Sequence, residues 1–477
     1  MNNFQTVIGI EVHTVVNSKT KMFSGTKSSH TDPVNQNINE IDIGLPGALP
    51  SVNEEVVKKA ICLAHALHMK IADTVSFDRK NYFYRDLPKG FQITQQFNPI
   101  GSDGYVEINV NGKTKRINIE RIHMEEDTAK QLKVDGKVLL DYNRSGMPLI
   151  EIVSKPDINS AQEAMAYLTE LKRILNFCGE ISDAKLEEGS MRADINISIN
   201  PYGSKQYGTR IEIKNLNSIT NVGKAIEYET QRQASAYVQG QTLKAETRRF
   251  DDTKGVTIYM RDKTAAVDYH FMPEPNILEF NLDEQFKKDA LGQIQYTVDE
   301  IKDTLTKLNI DKKIIEQLLD DYPLFKTCIK VYEAVNNVEL VLTWILVELV
   351  GLLKKDNKTI ESVSDDKLDK IIKMIKILTE GKVNAKQCKT IIAEIYKNNT
   401  DPEEVIQKLG FKQITDETEL TKMLTDLISK NDNIVKQYDT RPERVEKMIL
   451  GLLMRDTKGQ ANPVISTKIL RDLLKKK

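Results

Sequence analysis

The sequence predicts an α+β protein, and three observations carry that expectation. Polar and apolar residues alternate on short strand-like runs through the first 280 residues or so. Turn formers crowd the same region, with 17 of the 23 glycines and 10 of the 14 prolines before residue 280. Beyond it the chain is rich in Lys, Asp, Leu and Ile with helical periodicity. Strands mixed irregularly with helices point to α+β and away from a doubly wound parallel sheet.

Strand-like runs lie at 6–16, 105–110, 115–124, 148–153, 191–199 and 209–214. Val106 to Val110, a turn at Asn111-Gly112, then Lys115 to Ile119 reads as a hairpin. The first helix is expected at 53–69, where Val56, Val57, Ala60, Ile61, Ala64 and Leu67 form a stripe behind an Asn53 cap. A second, at 160–178, opens with Ser160 and Glu163 in capping-box spacing and stops before Gly179. A third is expected at 219–239. Helical periodicity then carries Ile314 to Leu319, Leu340 to Leu353 and Leu368 to Leu378, with Trp344 read as core. Boundaries are expected near 275–295 and near Asn398-Asn399-Thr400-Asp401-Pro402. They divide the chain into 1–290, 291–400 and 401–477.

Composition narrows the function. The formal net charge is −1, so any nucleic-acid contact must be a local patch. Residues 436–477 hold 11 Lys/Arg against 5 Asp/Glu, a local excess that suits a phosphate backbone or a solvated helical surface. Cys62, Cys178, Cys328 and Cys388 are scattered, which suits a reducing cytoplasm and no disulfide framework. The first residues enter a strand pattern at once, so no signal peptide is expected. The most apolar run, Leu340 to Leu353, is too short for a bilayer.

Several familiar chemistries are excluded. Gly112-Lys113-Thr114 resembles the end of a phosphate-binding P-loop, but the first glycine would fall at Glu107. Gly44-Leu45-Pro46-Gly47 lacks the third glycine of a dinucleotide fingerprint. There is no G-x-S-x-G elbow and no H-E-x-x-H helix.

What remains is a set of charged residues on strand faces. Glu11 and His13 sit two apart, Arg192, Asp194 and Asn196 alternate with apolar residues, and so do Arg210, Glu212 and Lys214. Successive strand side chains take opposite faces, so each set points one way. With Glu125-Glu126 and Glu151, these carboxylates beside an imidazole suit a Mg²⁺–phosphate site. Any one such strand, taken alone, reads as a solvated sheet face. Ser190 and Arg192 in Glu188-Gly189-Ser190-Met191-Arg192 suit cradling a phosphate or carboxylate. Lys214 beside Glu212 suits neutralising a transferred phosphoryl group. His123 reads either as a site residue or as a sheet residue bonded to a carboxylate. His65 and His68 read as structural, and His30 sits in a polar loop. Asp78 to Asp86 interleaves basic and aromatic residues. It reads as a loop that stacks on a nucleoside or the end of an RNA, or as a plain surface loop.

Nearly the whole chain resembles the B subunits of the bacterial glutamyl/aspartyl-tRNA amidotransferases. The matching motifs, in order, begin with Gly9-Ile10-Glu11-Val12-His13, Leu45 to Pro50, Phe77 to Tyr84 and His123-Met124-Glu125-Glu126-Asp127. Pro148 to Val153, Glu187 to Arg192, Glu212 to Ser218, Glu246 to Phe250, Pro273-Glu274-Pro275 and Lys458 to Pro463 follow. The resemblance implies a cradle-like catalytic domain, a helical domain and a small tail domain. It implies a heterotrimer with an amidase subunit, which releases ammonia from glutamine, and with a small third subunit. The B subunit would use ATP and Mg²⁺ to phosphorylate the side-chain carboxylate of Glu-tRNA(Gln) or Asp-tRNA(Asn), and ammonia would displace the phosphate.

By motif, the resemblance implies Glu11, His13, Glu126 and Glu151 as metal ligands. It implies Ser190, Arg192, Asp194, Glu212 and Lys214 as contacts to ATP or the phosphoryl group. In the tail, Lys458, Gly459, Gln460 and Asn462 would meet tRNA, with Asn462 as a helix cap. Many family members hold zinc in a cysteine cluster near the start of the cradle. Residues 21–50 here contain no cysteine, so no zinc is expected. Asn276 stands where an aspartate commonly follows the Pro-Glu-Pro motif. Two other readings remain: a non-catalytic tRNA-binding scaffold, and a freestanding carboxylate–amine ligase.

Overall fold

The computed structural model describes residues 4–29, 31–204, 206–263, 269–411, 414, 416–457 and 459–475. It forms two compact units, Met1–Asp320 and Asp321–Lys477. His30 and Lys458 lie outside the described residues.

The first unit is built on a nine-stranded sheet. Its strands, in chain order, are β1 (Phe4–Val15), β2 (Lys70–Ile71), β3 (Gly101–Val110), β4 (Lys113–Glu126), β5 (Pro148–Ser154), β6 (Met191–Pro201), β7 (Ile211–Leu216), β8 (Glu246–Asp251) and β9 (Val256–Asp262). Their spatial order is β9-β8-β7-β6-β1-β5-β4-β3-β2. Neighbours are antiparallel except β7 and β8, which are parallel and joined through helix α3 (Ile219–Val238). The β3–β4 hairpin turns at Asn111-Gly112, both at positive φ, as a tight two-residue turn requires.

One face of the sheet is apolar and covered. On β1, Ile8, Ile10 and Val12 are buried while Gly9, Glu11 and His13 on the other face are half-buried. Helices α1 (Glu54–Ala66) and α2 (Ala161–Phe177) pack with β3, and α3 packs on β6. The expected caps form: Asn53 accepts from the Glu55 and Val56 amides, and Ser160 from that of Glu163. Helices α4 (Glu284–Leu291), α5 (Val298–Lys307) and α6 (Lys312–Asp320) also belong to this unit. The change in composition near residue 280 and the division of packing at residue 320 are therefore different boundaries. Arg173 of α2 explains part of this, since its guanidinium reaches Glu316 at 2.6 Å and Asp320 at 2.7 Å.

Sequence pattern alone does not show β8 or the edge strand β9. Nor does it show the small sheet in which Asp78–Asn81, read as a loop, pairs with Phe91–Thr94 and Met272–Pro273. Before β1 meets α1, the segment from residue 17 to 50 is organised around Lys21. Its buried ammonium reaches the Asn37 carbonyl at 2.7 Å, Asp42 Oδ2 at 3.1 Å and the Tyr142 carbonyl at 3.3 Å.

The second unit is all helical among its described residues. A π-helix, Leu342–Leu349, lies within the expected Leu340–Leu353 run and buries Trp344. The last helices, including Glu417–Lys430, Pro442–Asp456 and Pro463–Leu474, close around Leu420, Leu424, Ile449, Leu453 and Leu470. The four cysteines are buried and unpaired. No helix among the described residues is long and apolar enough to cross a membrane.

Candidate active site

The uncovered face of the sheet brings the charged residues together by strand register. His123 on β4 stands opposite Glu151 on β5, Glu151 opposite His13 on β1, and His13 opposite Arg192 on β6. Directly opposed residues share a face and sit within side-chain reach. The next row puts Glu11 opposite Asp194, and Asn196 stands opposite Glu212 on β7. Residues nearly two hundred positions apart thus form one strip.

The centre of the strip is a compact set of donors. His13 Nε2 lies 3.3 Å from Glu151 Oε2 and 3.7 Å from Glu125 Oε1. His123 Nε2 lies 3.2 Å from Glu151 Oε2 and 3.9 Å from Glu125 Oε2. Ligand atoms of His13, Glu125 and Glu151 all fall within 4.8 Å of one another. Burial works against the His13 imidazolium, but its hydrogen bond to Glu151 and the charges of Glu151 and Glu125 outweigh it. They lift its pKa to about 9. Burial works against ionised Glu151 too, and the hydrogen bonds from His123 and His13 override it, holding the carboxyl well below its usual range. Glu11 moves the other way: burial, then the charges of Glu151 and Asp194, raise its pKa, while Asn196 donates to it at 3.0 Å.

Cations flank this core. Arg192 Nη2 donates to Asp127 Oδ2 at 3.1 Å. Lys214 is hydrogen-bonded to Asp194 and lies 3.7 Å from Glu212. Burial disfavours its charged form, but Asp194 and then Glu212 hold its pKa above the ordinary value. Glu212 is pushed below the usual range against its burial by Lys214, Thr247 and Lys263. His13, Glu125, Arg192, Asp194 and Lys214 line a common pocket of about 600 Å³.

Of the expected metal ligands, His13 and Glu151 meet at the centre and Glu11 is a row away. Glu126 is on the other face of β4. There it pairs with Lys89 and accepts from the Ile93 amide at 2.9 Å. Glu125 takes the place beside His13, and the strand phase contains the reason. Ile122 and Met124 are buried and apolar, so His123 and Glu125 share the polar face and Glu126 does not. Of the expected phosphoryl contacts, Arg192, Asp194 and Lys214 line the pocket, with Glu212 behind Lys214. Ser190 instead bonds Asp183 and accepts from the Lys185 amide at 3.0 Å, closing its own loop. Asp127 and His123 complete the site.

In the second unit, Gly459 adopts φ +81° and accepts from Asn384, while Gln460 and Asn462 bracket Ile414 through backbone bonds. Asn462 caps the final helix, accepting from Val464 and Ile465 at 3.0 Å each. Glu274 of the Pro-Glu-Pro motif clamps Arg79 through two hydrogen bonds and accepts from the Asn276 amide at 2.8 Å.

A sheet with one face sealed by helices and the other bearing ordered acids, imidazoles and cations around a pocket has the layout of an enzyme site. The model of the GatB/GatE catalytic domain matches residues 6–288, and that of the GatB domain matches 324–474. The B subunit of the aspartyl/glutamyl-tRNA(Asn/Gln) amidotransferase of Ureaplasma urealyticum is 48% identical over 100% of both chains. The protein of that name from Malacoplasma penetrans is 50% identical over 99% of this chain and 98% of its own. The one from Mycoplasma pneumoniae is 42% identical over 99% of each. The chain belongs to the GatB family.

Proposed function

We propose that this chain is the B subunit of a tRNA-dependent amidotransferase. It activates the side-chain carboxylate of Glu-tRNA(Gln) or Asp-tRNA(Asn) with ATP and Mg²⁺, in a heterotrimer completed by an amidase subunit and one further, small subunit. Residues 1–290 carry the chemistry, 291–400 form a helical domain, and 401–477 meet the tRNA body with Lys458, Gly459, Gln460 and Asn462 among the contacts. Zinc is no part of this reading. The observation that supports it best is the row His123–Glu151–His13–Arg192, with Glu125 and Lys214 beside it.

The donor set suits a divalent ion. Two carboxylates and an imidazole converge, and the second imidazole, His123, has a buried Nδ1 with no hydrogen-bond partner among the described residues. His13, Glu125 and Glu151 would hold the ion, which supplies charge neutralisation for the nucleotide phosphates. The protein side of the reaction is mostly positioning and electrostatics. Asp127 fixes Arg192, and Asp194 fixes Lys214, so two cations stay aimed into the pocket without reorganising as charge builds on the transferred phosphoryl group. A substrate carboxylate oxygen attacks the γ-phosphorus and ADP leaves. Ammonia then attacks the acyl carbon and inorganic phosphate leaves, giving the amide.

The test is ATP hydrolysis by the chain purified with its partner subunits, with ammonium chloride replacing glutamine. Phosphate release that requires Glu-tRNA(Gln) or Asp-tRNA(Asn), with the amidated aminoacyl-tRNA appearing, is the expected result. Tight tRNA binding with no ATP turnover on either substrate would overturn it in favour of the scaffold.

A further inference from the structure

We infer that an aromatic ladder beside the pocket is the stacking platform for the unpaired 3′ end of the aminoacyl-tRNA. The inference rests on the functional reading above, and it assigns the part of that substrate lying just outside the pocket.

The ladder runs across the first unit through four edge-on ring pairs. Tyr84 and Tyr82 have centroids 6.1 Å apart at 62°, and Tyr82 and Tyr269 are 5.7 Å apart at 71°. Tyr269 and Phe271 follow at 6.0 Å and 69°, then Phe271 and Phe97 at 6.4 Å and 72°. Three large rings are conspicuously wet: Phe83 is 91% exposed, Phe97 65% and Tyr84 60%. Folding gains little from rings this exposed, so their presence along one run of aromatics marks a contact surface. The Phe83 ring lies beside Gly90, where an added Cβ would come within 3.2 Å of it.

Charge and location choose the occupant. Lys80 Nζ stands 4.8 Å from the Tyr269 ring centroid and 5.8 Å from that of Tyr82, and Arg85 is exposed beside Tyr84 in the chain. Rings interleaved with cations suit bases stacked along a phosphate chain better than an apolar protein segment. Lys80 and Tyr82 also line the same pocket as His13, Glu125 and Arg192. An aminoacyl-tRNA carries its amino acid on the ribose of the last nucleotide. With the side-chain carboxylate in the pocket, the terminal bases must lie at its rim, where the ladder begins. A ladder of several rings also exceeds what the single adenine of ATP needs. Stacking tolerates any base, which fits a platform for an end common to all tRNAs.

The experiment compares the double variant Phe83→Ala/Tyr84→Ala with the parent, each in the complex with its partner subunits. The expected result is a rise of about 10-fold in KM for the aminoacyl-tRNA, the scale of losing one base–aromatic stack. The KM for ATP and the turnover at saturating tRNA should stay within about 2-fold. Binding of tRNA trimmed of its last three nucleotides should be the same for parent and variant, and Phe83→Trp should bind intact tRNA as the parent does. Equal losses for intact and trimmed tRNA, an ATP KM that rises alone, or failure to assemble with the partner subunits at unchanged tRNA affinity would each overturn the inference. A parent complex with no ATP turnover would count instead against the functional reading.

Discussion

Replacing Glu151 with glutamine is expected to cut tRNA-dependent ATP hydrolysis by on the order of 1000-fold, while tRNA affinity stays within about 2-fold. Losing a ligand that positions a catalytic ion removes several kcal/mol of transition-state stabilisation, and each 1.4 kcal/mol or so is ten-fold in rate. Glu151 sits between His13 and His123 and is held ionised by both. Glutamine keeps the shape but removes the carboxylate charge that stands between the two imidazoles. Glu126→Gln is the informative contrast. Its carboxylate is engaged by Lys89 and the Ile93 amide on the opposite face of β4. The shift in unfolding temperature on adding MgCl₂ should therefore survive in Glu126→Gln and disappear in Glu151→Gln. The reverse outcome would move the metal site to the other face of the strand.

The second large effect is on stability. Lys21→Met is expected to destabilise the first unit by about 3–5 kcal/mol, because it leaves Asp42 charged, buried and without its counter-ion. The ammonium also satisfies the carbonyls of Asn37 and Tyr142, which would lose their donor. Asp42 in turn accepts from Ser24 at 2.7 Å and from the Asn39 amide at 3.1 Å, so the loss spreads through the segment. Removing both charges, as Lys21→Met with Asp42→Leu, should cost much less than Lys21→Met alone. Unfolding by calorimetry, with amide exchange across residues 20–44, checks both variants. A single variant as stable as the double would show that the ion pair is not what holds the segment.

Periodicity made much of this molecule legible, and its failures have local causes. β1, β6 and β7 each have one apolar and one polar face, so an alternating pattern names both the strand and the side bearing the candidate site. β8 reads Glu-Thr-Arg-Arg-Phe-Asp, with charge on both faces, and carries no such signal. Asp78–Asn81 is wholly polar and becomes a strand only through its partners. Site residues on single strands were accessible in the same way, but their assembly was not. His13 meets Glu151 and Arg192 through a register set by the whole sheet, which no local pattern contains. Between Glu125 and Glu126, the deciding information was the phase of Ile122 and Met124. Ser190 shows the opposite limit: a hydroxyl in a suggestive motif turned inward to close its own loop.

The central position of β1 has a consequence during synthesis. It is the first strand of the sheet to leave the ribosome, yet its two neighbours are β5 at Pro148–Ser154 and β6 at Met191–Pro201. At ordinary translation rates the wait for β6 is roughly 10–40 s. Until β5 emerges, a long strand with Ile8, Ile10 and Val12 on one face has both edges open to mispairing, and the edge that β6 covers stays open for the whole wait. Glu11, on the other face, gives that waiting strand a negative charge. A carboxylate of the candidate site is thus also the kind of charge that opposes edge-to-edge pairing of an uncovered strand.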